Sequence, residues 1–257
     1  MVSIKNTQSN NIFSDYGKYY DLLYADKNYE AEIDYILTLL SEHKIKGGVL
    51  LELGSGTGRH ANLLAKNGYD VVGVEKSEEM IEQAQKNEKC TFLLGDILDI
   101  KLETRFDAAL SLFHVVSYLT SNEQISQLFQ NTSLHLRAGG LFIFDVWFTP
   151  SVAFHRPEVR VKRMADNEVE ITRIAAPNIL ENENIVEVNY TIFSRNKHTG
   201  SITSFEELHP MRHFSTPEIL LLARAHGFEL LRSEEFLTGK APSKDTWGVC
   251  YVLQKVA

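Results

Sequence analysis

One pattern limits this chain more than any other. Between Val49 and Val146, short apolar runs alternate with helical stretches. VLLEL, DVVGVE, CTFLLGD, FDAALSLF and GGLFIFDVW each have the length of a strand. A helical pattern from Thr57 to Asn67 closes at Gly68, a common helix stop. Ser77, followed by Glu78, Glu79 and MIEQAQ, opens a second helix with a hydroxyl cap and acids in the first turn. Asn122 to Arg137 makes a third. Strands alternating with helices demand a parallel sheet covered on both faces.

After the fifth strand the rhythm changes. From Val159 to about His213 no helical period emerges. Val186, Val188, Tyr190 and Ile192 alternate with Glu187, Asn189 and Thr191, the period of a half-buried strand. RNKHTGS reads as a turn, and the stretch reads as an inserted antiparallel sheet. Ser215-Thr216-Pro217-Glu218 restarts a helix, and FELLRSEEF and TWGVCYVLQ close the chain as strands. The fold class is thus α/β: a doubly wound, seven-stranded, mostly parallel sheet with an inserted antiparallel β-sheet. The expected division is an N-terminal helical segment over residues 1–45, a core over 46–155 and 214–257, and the insert over 156–213. Residues 14–43 read as one helical stretch that begins with Tyr16, Tyr19, Tyr20 and Tyr24.

Composition narrows the partners. A net charge of −8 over 257 residues disfavours a nucleic-acid partner, which needs a basic face. The longest apolar run, LFIFDVWF, is strand-sized, so no membrane span is expected. The start, MVSIKNTQSN, lacks an apolar signal core, and the expected location is cytoplasmic. Cys90 and Cys250 lie in strand-like runs and read as buried free thiols. His209 and His213 are four apart, a zinc spacing only on a helix. Pro210 between them puts the pair in a strand, so no metal is expected.

Gly54-Ser55-Gly56-Thr57-Gly58 follows the first strand. Ligands of open parallel sheets bind at that end, and glycines let backbone approach them closely. The nicotinamide fingerprint is GxGxxG; here the third glycine comes one residue early and Arg59 takes its place. Three carboxylates converge on the same edge: Glu52 before the loop, Glu75 ending the second strand and Asp96 ending the third. They repel phosphate and suit a cation that carries ribose hydroxyls and an adenine amine.

S-adenosylmethionine has that chemistry. Through LELGSGTG, VVGVEKSEEM, LLGDI and LRAGGLFIFD the chain resembles the class I methyltransferases, whose core is Rossmann-like. The resemblance implies that Gly54, Gly56 and the Ser55 backbone approach the methionine part of the cofactor. It places Glu75, with Lys76 beside it, on the ribose hydroxyls, Met80 on the adenine face, and Asp96 with the Ile97 backbone at the adenine amine. Leu112 lies near the sulfonium, Glu52 orients the loop, and S-adenosylhomocysteine is the product. Met80 fits helix core equally well, and Asp96 fits a helix cap.

The acceptor is read from other residues. Ser111-Leu112-Phe113-His114 stands where enzymes acting on base nitrogens usually carry Asn/Asp-Pro-Pro-aromatic. Tyr20-Asp21-Leu22, Tyr29-Glu30-Ala31-Glu32, Phe113 through Leu119, Asp145-Val146-Trp147-Phe148 and His209 ahead of Phe214-Ser215 are similar to methyltransferases of nucleotide-linked deoxyamino sugars. In that family the inserted sheet covers the site and helps pair subunits as a homodimer. Asp145-Val146 departs from the family's acidic-Pro pair, and Pro210-Met211-Arg212 departs from its usual segment. His114 is the candidate base, with Tyr118 to position the nucleophile; a backbone-bonded structural histidine is the other reading. Tyr16, Tyr20 and Tyr24 are candidates for a lid over the cofactor, although helix packing accounts for such tyrosines too and is the favoured reading for Tyr24. Asp145, Trp147, Phe148 and His209 are expected to meet a small-molecule acceptor, and Arg156 and Arg212 its diphosphate. O-methylation of a small hydroxylated metabolite, or non-catalytic sensing of S-adenosylmethionine, would use the same cofactor core.

Overall fold

The computed structural model describes residues 17–84 and 88–256. They fall into two compact units: residues up to Lys27 with Arg156–Arg212, and Asn28–His155 with the chain from His213 onward. The strands are β1 (Gly48–Leu53), β2 (Tyr69–Glu75), β3 (Cys90–Leu94), β4 (Phe106–Ser111), β5 (Leu136–Phe148), β6 (Arg160–Ala165), β7 (Val169–Leu180), β8 (Ile185–Asn196), β9 (Ile202–Phe214), β10 (Phe228–Glu235) and β11 (Gly248–Lys255). The helices are α1 (Tyr20–Leu23), α2 (Tyr29–Glu42), α3 (Arg59–Lys66), α4 (Glu78–Gln83), α5 (Asn122–His135), α6 (Thr149–His155) and α7 (Thr216–Ala225).

In the larger unit, β3, β2, β1, β4 and β5 pair in parallel in that order. β11 runs antiparallel to β5, and β10 antiparallel to β11. These seven strands match the expected doubly wound, mostly parallel sheet. The chain steps outward from β1 to β3, then returns to the other side of β1 as β4. That reversal creates a crevice beyond the carboxyl ends of β1 and β4, where ligands of such sheets bind.

Successive strand residues point to opposite faces. Leu51 and Leu53 join Phe129, Phe142, Phe144 and Phe228 on one face. Leu50 joins Ile36, Leu40, Leu64, Leu110 and Ile143 on the other. The phenylalanines meet at angles, with the Phe129 ring 5.6 Å from Phe142 and 5.7 Å from Phe144. Cys250 is buried, whereas Cys90 is only half-buried, and both are free thiols.

The smaller unit is an antiparallel sheet in the order β9-β8-β7-β6, as the period of two predicts. Leu23 packs with Ile171, Ile192 and Phe205. Arg173 lies over the rings of Tyr24 and Tyr190, 5.8 and 4.9 Å from their centres. Burial and the nearby Tyr24 push the Tyr190 phenol up to about 12, against the pull of Arg173.

Two elements differ from the sequence reading. The expected helical stretch over residues 14–43 is broken: α1 ends at Leu23, and the Asn28 side chain accepts the Ala31 N–H to start α2 afresh. A local cap outcompetes helix continuation there. α6, with Pro150 in its first turn, has no counterpart in the sequence reading; Pro is tolerated at that position because its missing N–H has no helical partner. No helix among the described residues is long and apolar enough to cross a membrane.

Phe129 is fully buried among three other phenylalanines. Phe129→Ala is expected to cost about 3–5 kcal/mol, measured as a lower urea midpoint.

Candidate active site

The glycine loop is bonded into the sheet before any ligand arrives. Gly54 and Ser55 both donate to the Val74 carbonyl, at 2.8 and 3.1 Å. Gly54, Gly56 and Gly58 all have positive φ, at 78, 54 and 73°, a region costly for other residues. Their surroundings differ. A Cβ on Gly54 would meet Val115 at 2.6 Å, and one on Gly58 would meet Phe92 at 2.5 Å. A Cβ on Gly56 would meet only the Met80 sulfur, at 3.8 Å. Gly54 and Gly58 serve packing, whereas Gly56 has only that one van der Waals neighbour among the described residues.

The acids that flank this loop have distinct partners. Glu75 is nearly buried; its Oε2 accepts the Gly56 N–H at 2.9 Å, and its Oε1 accepts those of Lys76 and Ser77 at 2.8 and 2.9 Å. A carboxylate can accept about four hydrogen bonds, so Oε2 keeps capacity for a ligand. Asp96 accepts the Leu98 N–H and the exposed Lys76 ammonium, at 3.0 and 2.9 Å. Burial works to raise the Asp96 carboxyl, but Lys76 and the Leu98 N–H together hold it below the usual carboxylate range. Met80 is buried in α4, whose Ser77 cap accepts its N–H. Half-buried Ile97 offers its carbonyl to Asn131.

Glu52 is 1% exposed. Its Oε1 lies 3.5 Å from His60 Nδ1, and His60 Nε2 lies 2.7 Å from Glu32. Glu52 Oε2 and Ser55 Oγ are buried with no hydrogen-bond partner among the described residues. The sequence reading quoted Glu32 only within Tyr29-Glu30-Ala31-Glu32 and gave no role to it or to His60. Their signals were a histidine two residues after the glycine loop and an acid on the apolar face of α2.

The second group of residues gathers where β4 and β5 end. Leu112 is buried beneath it. Phe113 and His114 both adopt positive φ, 66 and 62°, although neither is glycine. Asp145 stabilises this strained corner: its Oδ2 accepts the His114 N–H at 3.1 Å and lies 2.7 Å from His114 Nδ1. Asp145 is 1% exposed, so the acceptor candidate read from sequence is turned toward His114. The rings of Phe113 and Trp147 stand 5.9 and 6.3 Å from that of His114, and Trp247 stands 5.2 Å from Trp147. The Trp147 N–H donates to Ser117. Half-buried Tyr118 ends the same turn, and buried Phe148 continues β5.

The remaining candidates belong to the smaller unit. Tyr20 packs 4.8 Å from Tyr24. Exposed Arg156 pairs with Glu181. His209 is buried 3.1 Å from Glu207, and burial lowers its imidazole despite that carboxylate. Half-buried Arg212 lies opposite Ile185 in β9. Tyr16 lies outside the described residues.

Residues 50–140, which span the glycine loop, all three acids and the His114 corner, match the methyltransferase domain family. The chain carries an S-adenosylmethionine-dependent methyltransferase domain. Among its relatives, a dTDP-3-amino-3,4,6-trideoxy-alpha-D-glucopyranose N,N-dimethyltransferase of Streptomyces venezuelae is 27% identical, covering 88% of this chain and 93% of its own. A putative methyltransferase of Bacillus subtilis is 26% identical, over 95% and 97%. The structure of a sugar N-methyltransferase from Streptoalloteichus superposes with a TM-score of 0.84 at 19% identity, covering 100% of this chain and 99% of its own.

The two glycine environments in this methyltransferase predict opposite outcomes. Gly54→Ala is expected to lower thermal stability through the Val115 clash. Gly56→Ala is expected to cost only about 1 kcal/mol of backbone strain yet weaken S-adenosylhomocysteine binding in calorimetry.

Proposed function

We propose that this methyltransferase acts on the amino group of a nucleotide-linked amino sugar. The observation that carries the reading is His114 held against buried Asp145 at the ends of β4 and β5, between two aromatic rings. The names of the Streptomyces venezuelae and Streptoalloteichus relatives support the acceptor class.

Two features fit the cofactor: the lack of any close clash for a Cβ at Gly56 and the orphaned oxygens of Glu52 and Ser55 among the described residues. S-adenosylmethionine supplies a methyl group activated on a sulfonium. The backbone at Gly54, Ser55 and Gly56 would hold its methionine end, and Leu112 would line the sulfonium. Glu75 would take the ribose hydroxyls through Oε2, with Lys76 steadying Asp96. Met80 would face the adenine, and Asp96 and the Ile97 backbone would read its amine. The loop is already bonded to β2, so little ordering remains to be done on binding.

An amine attacks only when neutral, and a sugar ammonium must first lose a proton. A proton held on Nδ1, 2.7 Å from Asp145, would leave the His114 lone pair on Nε2. His114 takes the proton there, and the Asp145 carboxylate stabilises the imidazolium that results. Tyr118 orients the nucleophile from the same turn. The leaving thioether needs no acid, so alignment supplies much of the remaining rate.

His114→Ala is expected to slow turnover by roughly 10²-fold or more while calorimetric affinity for S-adenosylhomocysteine holds; full turnover in that variant would remove His114 from the chemistry. The acceptor is tested with labelled S-adenosylmethionine against dTDP-linked amino sugars and their hydroxyl counterparts, with mass analysis of products. Methyl-nitrogen products are expected, and products methylated only at oxygen would overturn the proposal.

A further inference from the structure

Beneath the glycine loop sits a buried chain of three ionisable side chains from three elements. Glu32 comes from α2, Glu52 from β1 and His60 from α3. All three side chains are under a tenth exposed. The imidazole stands between the carboxylates, 2.7 Å from Glu32 Oε2 and 3.5 Å from Glu52 Oε1. Tyr29 packs against the imidazole, 5.0 Å between ring centres.

Burying two carboxylates around one imidazole is unfavourable unless their hydrogen bonds are completed. Here one is left open. Glu52 Oε2 has no donor among the described residues, although the residue is almost fully buried. A fold that needed only to clamp α2 to α3 would not require a second acid with an empty acceptor two residues before Gly54. An open, buried anionic acceptor is suited to a cationic donor delivered by a ligand. At the start of the loop, the cationic donor in the known cofactor's methionine part is its α-ammonium group.

We propose that Glu32 and His60 are positioning residues for the amino-acid end of the cofactor. His60, anchored by Glu32, holds Glu52 Oε1 so that Oε2 presents to the α-ammonium group. Even with a protonated imidazole the trio carries a net charge of −1, which that ammonium neutralises. The inference rests on S-adenosylmethionine binding at the glycine loop and is independent of the acceptor.

The test compares two ligands by calorimetry on the full chain. S-adenosylhomocysteine carries the ammonium; 5′-methylthioadenosine shares the adenosine and thioether but lacks the amino acid. Glu32→Ala and His60→Ala are expected to weaken S-adenosylhomocysteine roughly tenfold, the scale of a lost charge-assisted contact, and to leave methylthioadenosine within about twofold. Glu32→Gln, which removes the charge but keeps the shape and a hydrogen-bonding group, is expected to act in the same direction and serves if the alanine variants do not fold. Equal weakening of both ligands would reduce the trio to a structural clamp, and unchanged S-adenosylhomocysteine affinity would also overturn the proposal. Glu75→Ala separates the two levels: it should weaken both ligands, and if it weakens neither, the placement of the cofactor at this loop fails instead.

Discussion

The pairing of β1 between β2 and β4 is the constraint on which the rest of the larger unit depends. β1 is buried on both faces, and its far end leads directly into the glycine loop. The Val74 carbonyl of β2 accepts from both Gly54 and Ser55, so the loop extends the sheet's own bonding pattern. Glu75, the next residue, then accepts the Gly56 N–H. A rigid parallel pair thereby sets the position of the loop proposed to cradle the cofactor. Such preorganisation lowers the ordering cost of binding.

A second consequence follows at β4. The chain leaves that strand through two left-handed residues, Phe113 and His114. Non-glycine residues adopt this geometry at a cost of order 1–3 kcal/mol each when the surroundings enforce it. Buried Asp145 on the neighbouring strand enforces it, bonding the His114 N–H and facing its ring nitrogen. The same carboxylate bends the backbone and orients the imidazole. The fold supports a strained corner where the chemistry is proposed to occur, with the glycine loop at the end of the adjacent strand.

Much of this was legible in the order of residues. Near-continuous apolar runs such as VLLEL announce strands buried on both faces, and their alternation with helices leaves few topologies open. Ser77, read as a cap from the sequence, accepts the Met80 N–H three residues on, so caps are legible too. The break between α1 and α2 was not, because Asn28 suits a helix end and a solvated turn equally. The partnerships that shape the sites were hidden for a different reason. His60 and Glu32 are 28 residues apart, and His114 and Asp145 are 31. Each residue alone is consistent with an exposed face.

The sequence by itself determined the strand order's raw material, the glycine loop and the three acids flanking it, because these depend on periodicity and spacing within a few residues. It also pointed to the cofactor class, through the early third glycine and through the resemblance of LELGSGTG, VVGVEKSEEM and LLGDI to the class I methyltransferases. Only the tertiary structure decided that Gly56, unlike Gly54 and Gly58, has no close clash for a Cβ, that Asp145 serves His114, and that Glu52 is tied to α2 through His60. Those outcomes depend on which strands become neighbours and how far each side chain is removed from water. A hydrogen bond between distant residues gains its significance from burial, and burial is set by the packed whole.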